Sequence, residues 1–349
     1  MNRVYLRLRR RAAGLLGIVF LISGILKVWD PVGNMLIVTE YLKFLHIPFL
    51  IPAAKWLGIA MSVTECAVGI GLITGVLRKA SAILAYAMLG GFTVLTLLLW
   101  VFDAPMDCGC FGEALHLTHA QSFLKNVALL LLAVLAFTPF KEFGRARKRK
   151  AISAIVAMLA IVGVTIYSNI YLPVVDFTPF NWGARIFASL DDEASEEEFR
   201  KAPILSFSNA DGEYCDEMAA EGRVLIFSVY DPEKADWETL EQQFREASFT
   251  QAVPMILVAG RPEQVRLPQD IQPYFADYKT LITLNRSNGG GSYFYDGELM
   301  HKWGIRQFPD NLLADIDGDP DALSTRHVTR RRVTAQGFCV VMLAILMLL

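Results

Sequence analysis

The stretch that decides the fold reads ASAILAYAMLGGFTVLTLLLWVF, residues 80–102, followed at once by DAPMDCGCFGEAL, residues 103–115. The first segment is long enough to cross a bilayer core about 30 Å thick, which takes about 20 apolar residues in a helix. The second segment is a short acidic loop that holds Cys108 and Cys110 one glycine apart, in a chain with 5 cysteines among 349 residues. The pattern predicts a transmembrane helix that ends in a loop with its own chemistry.

Other apolar runs predict further membrane spans. The residues AVILMFWYC make up 54% of the chain, charged residues make up 19%, and the mean hydropathy is +0.37. This composition indicates a multi-pass membrane protein. The predicted spans are residues 12–28, 56–77, 80–102, 123–140 and 151–175, and a shorter apolar run follows at 337–349. We interpret the first run as a retained span, because no small-residue cleavage site follows it.

Basic residues predict the orientation of these spans. They cluster at the N-terminus, at residues 78–79 and at residues 141–150, which lie on one face if the first four spans alternate. The positive-inside rule makes that face cytoplasmic. We therefore predict a protein of the bacterial inner membrane, with its N-terminus cytoplasmic and residues 103–122 and 176–325 outside. The arginines within residues 326–332 disagree with this scheme if the final run crosses the membrane.

The basic clusters contain too few aromatic residues for base stacking, so we predict the lipid bilayer as partner and no nucleic acid. The predicted domains are a four-helix core at 1–140, a basic loop and fifth span at 141–175, a soluble domain at 176–325, and a basic stretch with an apolar tail at 326–349.

The soluble domain shows a mixed α/β pattern. A buried strand at 223–230, a helix from Pro232, a strand at 253–259, an element at 280–284, a hairpin around Asp296-Gly297 and a last helix from Phe308 follow one another. This order is that of a thioredoxin-like fold. No CxxC follows the first strand, and the domain has one cysteine, Cys215. We therefore predict that it holds a periplasmic protein partner.

Four stretches together resemble the DoxX/MauE family of integral membrane proteins, in the branch with an appended thioredoxin-like extracytoplasmic domain. They are FLISGILKVWDPVGNMLIVTEY (20–41), Glu65 with the following Gly69, Arg78, and DCGCFG (107–112) with an asparagine in the next span. The resemblance implies a four-helix core similar in plan to vitamin K epoxide reductases, which pass disulfide electrons to a quinone. It also implies a role in maturing a disulfide-rich periplasmic dehydrogenase.

The first interpretation of Cys108 and Cys110 is a redox pair. A disulfide across one glycine is strained, and strained disulfides are the labile ones. The acidic residues of the loop, Asp103, Asp107 and Glu113, are expected to raise the thiol pKa, since nearby negative charge disfavours a thiolate.

Two other interpretations of the loop stay open. In the metal interpretation His116 and His119 join Cys108 and Cys110, and this set of sulfur and imidazole ligands suits zinc or copper. In the structural interpretation the loop is a glycine-containing turn, and Thr118 caps the next helix in a capping box.

Polar residues in the apolar runs complete the candidate site. A carboxylate at the centre of a membrane helix costs about 2.5–3.5 kcal/mol on insertion scales, so Glu65 is expected to face the bundle interior and to have a partner. Lys27 and Arg78 are the two candidates for that partner. We predict that Glu65 and Lys27 line the core as a polar pair, near the quinone that the resemblance implies.

The leading functional hypothesis is thiol/disulfide or electron-transfer chemistry at the outer face, through Cys108 and Cys110. It makes the protein a thiol-disulfide or quinone-linked oxidoreductase. The alternative is a non-enzymatic assembly, maturation or binding protein whose outer domain holds a periplasmic partner. A solute carrier is a weaker third hypothesis, because four spans with short loops give little evidence of an inverted repeat.

Overall fold

A computed structural model describes residues 3–106, 108–115, 117–138, 148–190, 195–261, 272–309 and 311–348. The chain divides into two compact units. Unit 1 comprises residues 1–175 and 335–349, and unit 2 comprises residues 176–334.

Unit 1 is helical. Its elements are α1 (Arg3–Trp29), α2 (Pro31–Phe44), α3 (Ala54–Thr74), α4 (Arg78–Val101), the short strand β1 (Cys110–Glu113), α5 (His119–Phe137) and α6 (Lys148–Ile170). Among the described residues, five helical stretches are long and apolar enough to cross a membrane: Val4–Trp29, Pro48–Thr74, Arg78–Val101, His119–Phe137 and Lys148–Ile170. They overlap the five predicted spans. The C-terminal apolar helix segment, Val333–Met342, is shorter than any of them.

Small residues let the two central helices of unit 1 approach closely. A Cβ atom on Gly69 of α3 would lie 2.7 Å from the carbonyl oxygen of Gly17 on α1, and one on Gly24 would lie 2.5 Å from the sulfur of Cys66. Membrane helices associate through such small-residue contacts, because lipid gives apolar side chains no drive to leave it. With α4 and α5 packed alongside, these helices form a bundle, and the loop that carries Cys108 and Cys110 packs against α1 and α2 at one end.

Unit 2 is a mixed α/β domain. Its elements are α7 (Glu196–Lys201), β2 (Phe207–Ser208), β3 (Arg223–Val229), α8 (Trp237–Ala247), β4 (Val253–Ala259), β5 (Pro273–Ala276), α9 (Tyr278–Leu284), β6 (Gly290–Tyr295), β7 (Glu298–Trp303) and α10 (Leu312–Ile316). The last helix, α11 (Pro320–Leu348), begins in unit 2, and its residues from 335 onward belong to unit 1. The strand order in the sheet is β2-β5-β4-β3-β6-β7. Strands β3, β4 and β5 are mutually parallel, whereas β6 and β7 form an antiparallel hairpin beside β3.

The central strand β3 is buried on both faces. Val224 and Ile226 enter one core with Phe294 of β6, whereas Leu225 and Phe227 enter a second core with Leu240 of α8. Residues that alternate along a strand point to opposite faces of the sheet, so one apolar strand supplies both cores.

Two local predictions for unit 2 have different outcomes, and two short strands were not expected. The hairpin is confirmed, and Asp296 and Gly297 take positive φ values of 46° and 71°, as a two-residue turn requires. Pro232 opens a short 3-10 helix (Pro232–Lys234), as expected of a proline at a first helical position, but the α-helix begins at Trp237, because the Asp236 side chain accepts a hydrogen bond from the Thr239 amide and caps it there. Strands β2 and β5 were not predicted, since two and four residues are too few to show a period.

Candidate functional site

A cavity in unit 1 brings the four principal candidate residues together. Lys27 from α1, Glu65 from α3 and the loop residues Cys108 and Cys110 all line it. Apolar side chains, among them Phe20, Leu89, Phe92 and Leu129, form much of the remaining wall. The cavity volume is about 40 Å³. Since one water needs about 10–15 Å³ on this measure, the space holds about three.

Glu65 and Lys27 form a buried ion pair. Lys27 Nζ lies 2.7 Å from Glu65 Oε1 and 2.8 Å from Oε2, and the two side chains are 2% and 1% exposed. Both carboxylate oxygens therefore accept hydrogen bonds, which compensates a charge that is costly to bury. Of the two partners considered for Glu65, Lys27 is the one that the structure pairs with it.

Ser23 joins the ion pair to the cysteine loop. It lies one helical turn before Lys27 on α1, and its hydroxyl oxygen is 2.9 Å from Lys27 Nζ and 2.8 Å from Glu65 Oε2. The same hydroxyl is 2.8 Å from the carbonyl oxygen of Cys110. Nothing in the sequence distinguished Ser23, apart from its spacing of four residues from Lys27, which places both side chains on one helix face.

The backbone of the cysteine loop depends on two glycines. Gly109 has φ of 59° and Gly112 has φ of 65°, both in the left-handed region that favours glycine. A Cβ atom on Gly109 would meet the side chain of Ile37 on α2, and one on Gly112 would lie 3.6 Å from Lys27 Cγ. The loop therefore packs against α2 on one side and the stem of Lys27 on the other.

Cys108 and Cys110 are free thiols in contact. Their sulfur atoms lie 3.0 Å apart, and Cys108 is buried whereas Cys110 is partly exposed. A hydrogen bond from the Cys108 thiol lowers the pKa of Cys110 to about 6; burial opposes this shift and the Lys125 ammonium supports it. The same contact with Cys110, together with burial, raises the pKa of Cys108. The pair is therefore divided into one acidic thiol and one that holds its proton.

This result corrects the expectation that the acidic loop raises both pKa values. No lysine or arginine lies within the loop itself, and the cation that supports the Cys110 thiolate is Lys125, on the first turns of α5. Lys125 lines the same cavity and its Nζ lies 4.7 Å from the centre of the Phe111 ring. Its place in the SFLKN motif (residues 122–126) was visible, but its direction depends on how α5 packs.

The metal interpretation gains no support from the described residues. They contain no group of three or more His, Cys, Asp or Glu side chains arranged to hold a metal ion. The ring nitrogen Nε2 of His119 lies 2.9 Å from the carbonyl oxygen of Ala104, and His116 and Asp107 lie outside the described residues. Thr118 caps α5 in the predicted capping box with Gln121, which is confirmed.

A quinone does not fit the cavity that holds the cysteine pair, because a volume of about 40 Å³, space for about three waters, is too small for a quinone ring. A second cavity in unit 1, of about 600 Å³, is lined by residues of α2, α4 and the loop start, among them Phe44, Leu98 and Phe102. Neither cysteine and neither member of the ion pair lines it. We therefore derive no step through a quinone.

Unit 2 has a different arrangement at the carboxyl end of its central strand. The Asn288 side chain donates to the carbonyl oxygen of Asp231 at 2.8 Å and accepts from the Asp231 amide at 3.0 Å. This pair of hydrogen bonds fixes the loop after β3 to the loop before β6. Cys215 lies apart from it, before β3, with its sulfur 3.4 Å from the Glu213 carbonyl oxygen.

Comparison with known proteins gives a similarity that falls on the transmembrane part of the chain. No curated protein and no solved structure matches the chain. Residues 6–139 match the family described as methylamine utilisation protein MauE. The matched segment contains Lys27, Glu65 and both loop cysteines. This segment of unit 1 is therefore similar to the MauE family of membrane proteins.

Proposed function

We propose that unit 1 performs thiol–disulfide exchange at the outer face of the bacterial inner membrane, with Cys108 and Cys110 as the exchanging pair. The observation that carries the proposal is the contact of the two sulfur atoms, 3.0 Å apart, in a cavity that also holds Lys27, Glu65 and Lys125. A turn that served structure alone has no need of one acidic and partly exposed thiol beside a buried partner.

The two thiols have different roles in the exchange. Cys110 is the nucleophile, because it is partly exposed and its pKa of about 6 leaves it largely ionised at neutral pH. Its thiolate attacks a substrate disulfide and forms a mixed disulfide, and the released substrate thiolate takes up a proton. Cys108 then loses its proton and attacks the Cys110 sulfur, which frees the second substrate thiol. The pair is oxidised by two electrons and the substrate disulfide is reduced to two thiols; the reverse sequence oxidises a substrate dithiol.

We assign unit 2 the role of holding the protein whose thiols or disulfides are exchanged. From β3 onward its order is α8, β4, β5, α9, the β6–β7 hairpin and α10, and apart from the short strand β5 this order supports a thioredoxin-like fold. The loop after β3 has Asp231 bound to Asn288 in place of a cysteine pair, so it supports binding over redox chemistry. Together with the DoxX-like features of unit 1, this gives a membrane protein that matures a partner outside the cytoplasm.

The proposal is tested by trapping thiols in native membranes. A membrane-impermeant maleimide is applied before and after a mild reductant, and the label on residues 103–122 is read by mass spectrometry. We expect a fraction of Cys108 and Cys110 to react after reduction only, because an outward-facing pair that exchanges is partly oxidised. Access of the impermeant label also tests the orientation.

Two variants serve as controls for this experiment. In Cys110→Ser the loop has no partner thiol for Cys108, so the reductant should no longer change the labelling of Cys108. Cys215→Ser removes the cysteine of unit 2 and should leave the loop unchanged. If both loop thiols react fully without reductant, or neither reacts under any condition, the exchange hypothesis is wrong. The non-enzymatic assembly role then remains.

A further inference from the structure

The hydrogen bonds of Ser23 are more than its single proton can supply. Its hydroxyl oxygen accepts from Lys27, and it lies 2.8 Å from two acceptors, Glu65 Oε2 and the Cys110 carbonyl oxygen. A serine has one O–H donor, so it donates to one of these acceptors at a time. The carboxylate already receives two hydrogen bonds from Lys27, whereas the carbonyl belongs to the loop that carries the two cysteines.

We propose that Ser23 is the positioning residue of the cysteine loop, and that its hydroxyl links the Cys110 backbone to the Lys27–Glu65 ion pair. The inference deepens the proposed function, since it rests on Cys110 being the reactive thiol there. Ser23 touches the backbone of Cys110 and acts on the sulfur through the position of the loop.

The geometry of the loop explains why one hydrogen bond has this effect. Gly109 packs against Ile37, and Gly112 packs against Lys27, so the ends of the turn are set by apolar contact. The Cys110 carbonyl, between them, is fixed by Ser23. If that bond is lost, the turn is free to shift and the Cys110 sulfur moves relative to its two stabilising neighbours, the Cys108 thiol and the Lys125 ammonium.

The charged and titratable groups around Cys110 come from several elements. They are Lys27 on α1, Tyr41 on α2, Glu65 on α3, Cys108 in the loop and Lys125 on α5. The residues of α4 that line the cavity, Leu89, Phe92, Leu95 and Thr96, carry no titratable group. Substitution of Ser23 changes none of these charges, so an effect on the ionisation of Cys110 reports position.

The experiment measures the alkylation rate of Cys110 in membranes as a function of pH. The protein is reduced with a phosphine, the reductant is removed, iodoacetamide is added, and mass spectrometry assigns the label to Cys110. For Ser23→Ala we expect the pH midpoint of alkylation to rise by about half a unit, which is about a threefold smaller thiolate fraction below the midpoint. Alanine is the best helix former, and Lys27 and Glu65 keep each other as partners, so the bundle is expected to fold.

Two further variants separate positioning from general loosening. Ser23→Thr keeps the hydroxyl and should restore the wild-type midpoint. Ser62→Ala removes another buried hydroxyl of the bundle, which bonds to Asn34 and the Gly58 carbonyl away from the loop, and should leave the midpoint unchanged. An unchanged midpoint in Ser23→Ala, or an equal rise in Ser62→Ala, would overturn the inference.

This experiment fails or succeeds separately from the test of function. Alkylation of a reduced thiol does not require that the pair ever forms a disulfide. If thiol trapping shows that the pair never changes oxidation state while Ser23→Ala still raises the midpoint, the exchange function is wrong and the role of Ser23 holds. If the pair exchanges and the midpoint does not move, the function holds and Ser23 has no positioning role.

Discussion

Both units of this protein bury a lysine–carboxylate ion pair, and the two pairs have nearly the same geometry. Lys27 and Glu65 in unit 1 are 2.7 Å apart and 2% and 1% exposed. Lys302 and Asp176 in unit 2 are also 2.7 Å apart and are 3% and 4% exposed. Distance and burial therefore do not tell a candidate site from a structural contact.

The difference lies in what surrounds each pair. In unit 2 the Thr178 hydroxyl and amide both donate to Asp176, at 2.7 Å and 3.0 Å, and Lys302 fixes the carboxylate to β7. The pair anchors the first residues of the unit to the sheet. In unit 1 the pair lines a cavity with two thiols, and Ser23 connects it to the loop that carries them. Whether a buried ion pair belongs to a candidate functional site or to a structural contact therefore depends on the groups that surround it.

The largest effect is expected from breaking the pair in unit 2. Burial alone disfavours the ionised form of Asp176, yet the charge and hydrogen bond of Lys302 outweigh it and hold the pKa of Asp176 below its usual range. In Lys302→Met the carboxylate loses its cation, and we expect the free energy of unfolding of unit 2 to fall by about 3–5 kcal/mol. The free energy of unfolding is measured by denaturant titration, with hydrogen exchange of the β7 amides as the probe.

The matched control for that variant is Lys234→Met. Lys234 pairs with Asp231 at 2.7 Å as well, but the lysine is 81% exposed. Solvent screens an exposed pair, so no measurable loss is expected. Equal losses in the two lysine variants would show that the buried pair has no anchoring role.

Acid should destabilise unit 2 in the same direction as Lys302→Met. A carboxylate whose pKa is lowered in the folded state contributes stability at pH values above its unfolded pKa, and this stability is lost as the pH falls through the folded pKa.

The second largest effect is expected from removing the charge of Lys125, which lines the same cavity as the ion pair of unit 1. Lys125→Met removes the cation that supports the Cys110 thiolate, and a neighbouring opposite charge shifts a pKa by about one unit or more. We expect the pH midpoint of Cys110 alkylation to rise by about one unit, with alkylation slowed about tenfold below that midpoint. Lys125→Arg keeps the charge and should keep most of the rate. A midpoint that does not move would mean that the Cys108 thiol alone sets the acidity of Cys110.

The smallest effect is expected from removing the charge of Glu65, with removal of the Asp176 charge as the comparison. Glu65→Gln leaves the Lys27 charge without its anion next to the cavity, which should favour the Cys110 thiolate and speed its alkylation about threefold below the midpoint. Asp176→Asn breaks the equivalent pair of unit 2 and should leave that rate unchanged. The two rates, measured side by side in membranes, decide whether the unit 1 pair is coupled to the thiols. Equal rates would mean that it serves the bundle alone.

The site was predictable from the sequence where a residue type is unusual for its surroundings. A carboxylate in an apolar run must find a partner, and this made Glu65 and Lys27 candidates before their contact was seen. The two cysteines were conspicuous because cysteine is rare in the chain. Ser23 and Lys125 were not found, because a serine or a lysine near the end of an apolar helix is common and gains its meaning from the helix that packs against it.

The sequence by itself determined the separation into apolar helices and a mixed α/β unit, because hydrophobic length and strand period are properties of the chain. It determined the hairpin at Asp296-Gly297 and the cap at Thr118 for the same reason, since turns and caps depend on neighbouring residues. Only the tertiary structure decided which cation meets Glu65 and which thiol is acidic. Those outcomes depend on distances between elements far apart in the chain, and electrostatic interactions depend on distance and burial, which no local pattern records.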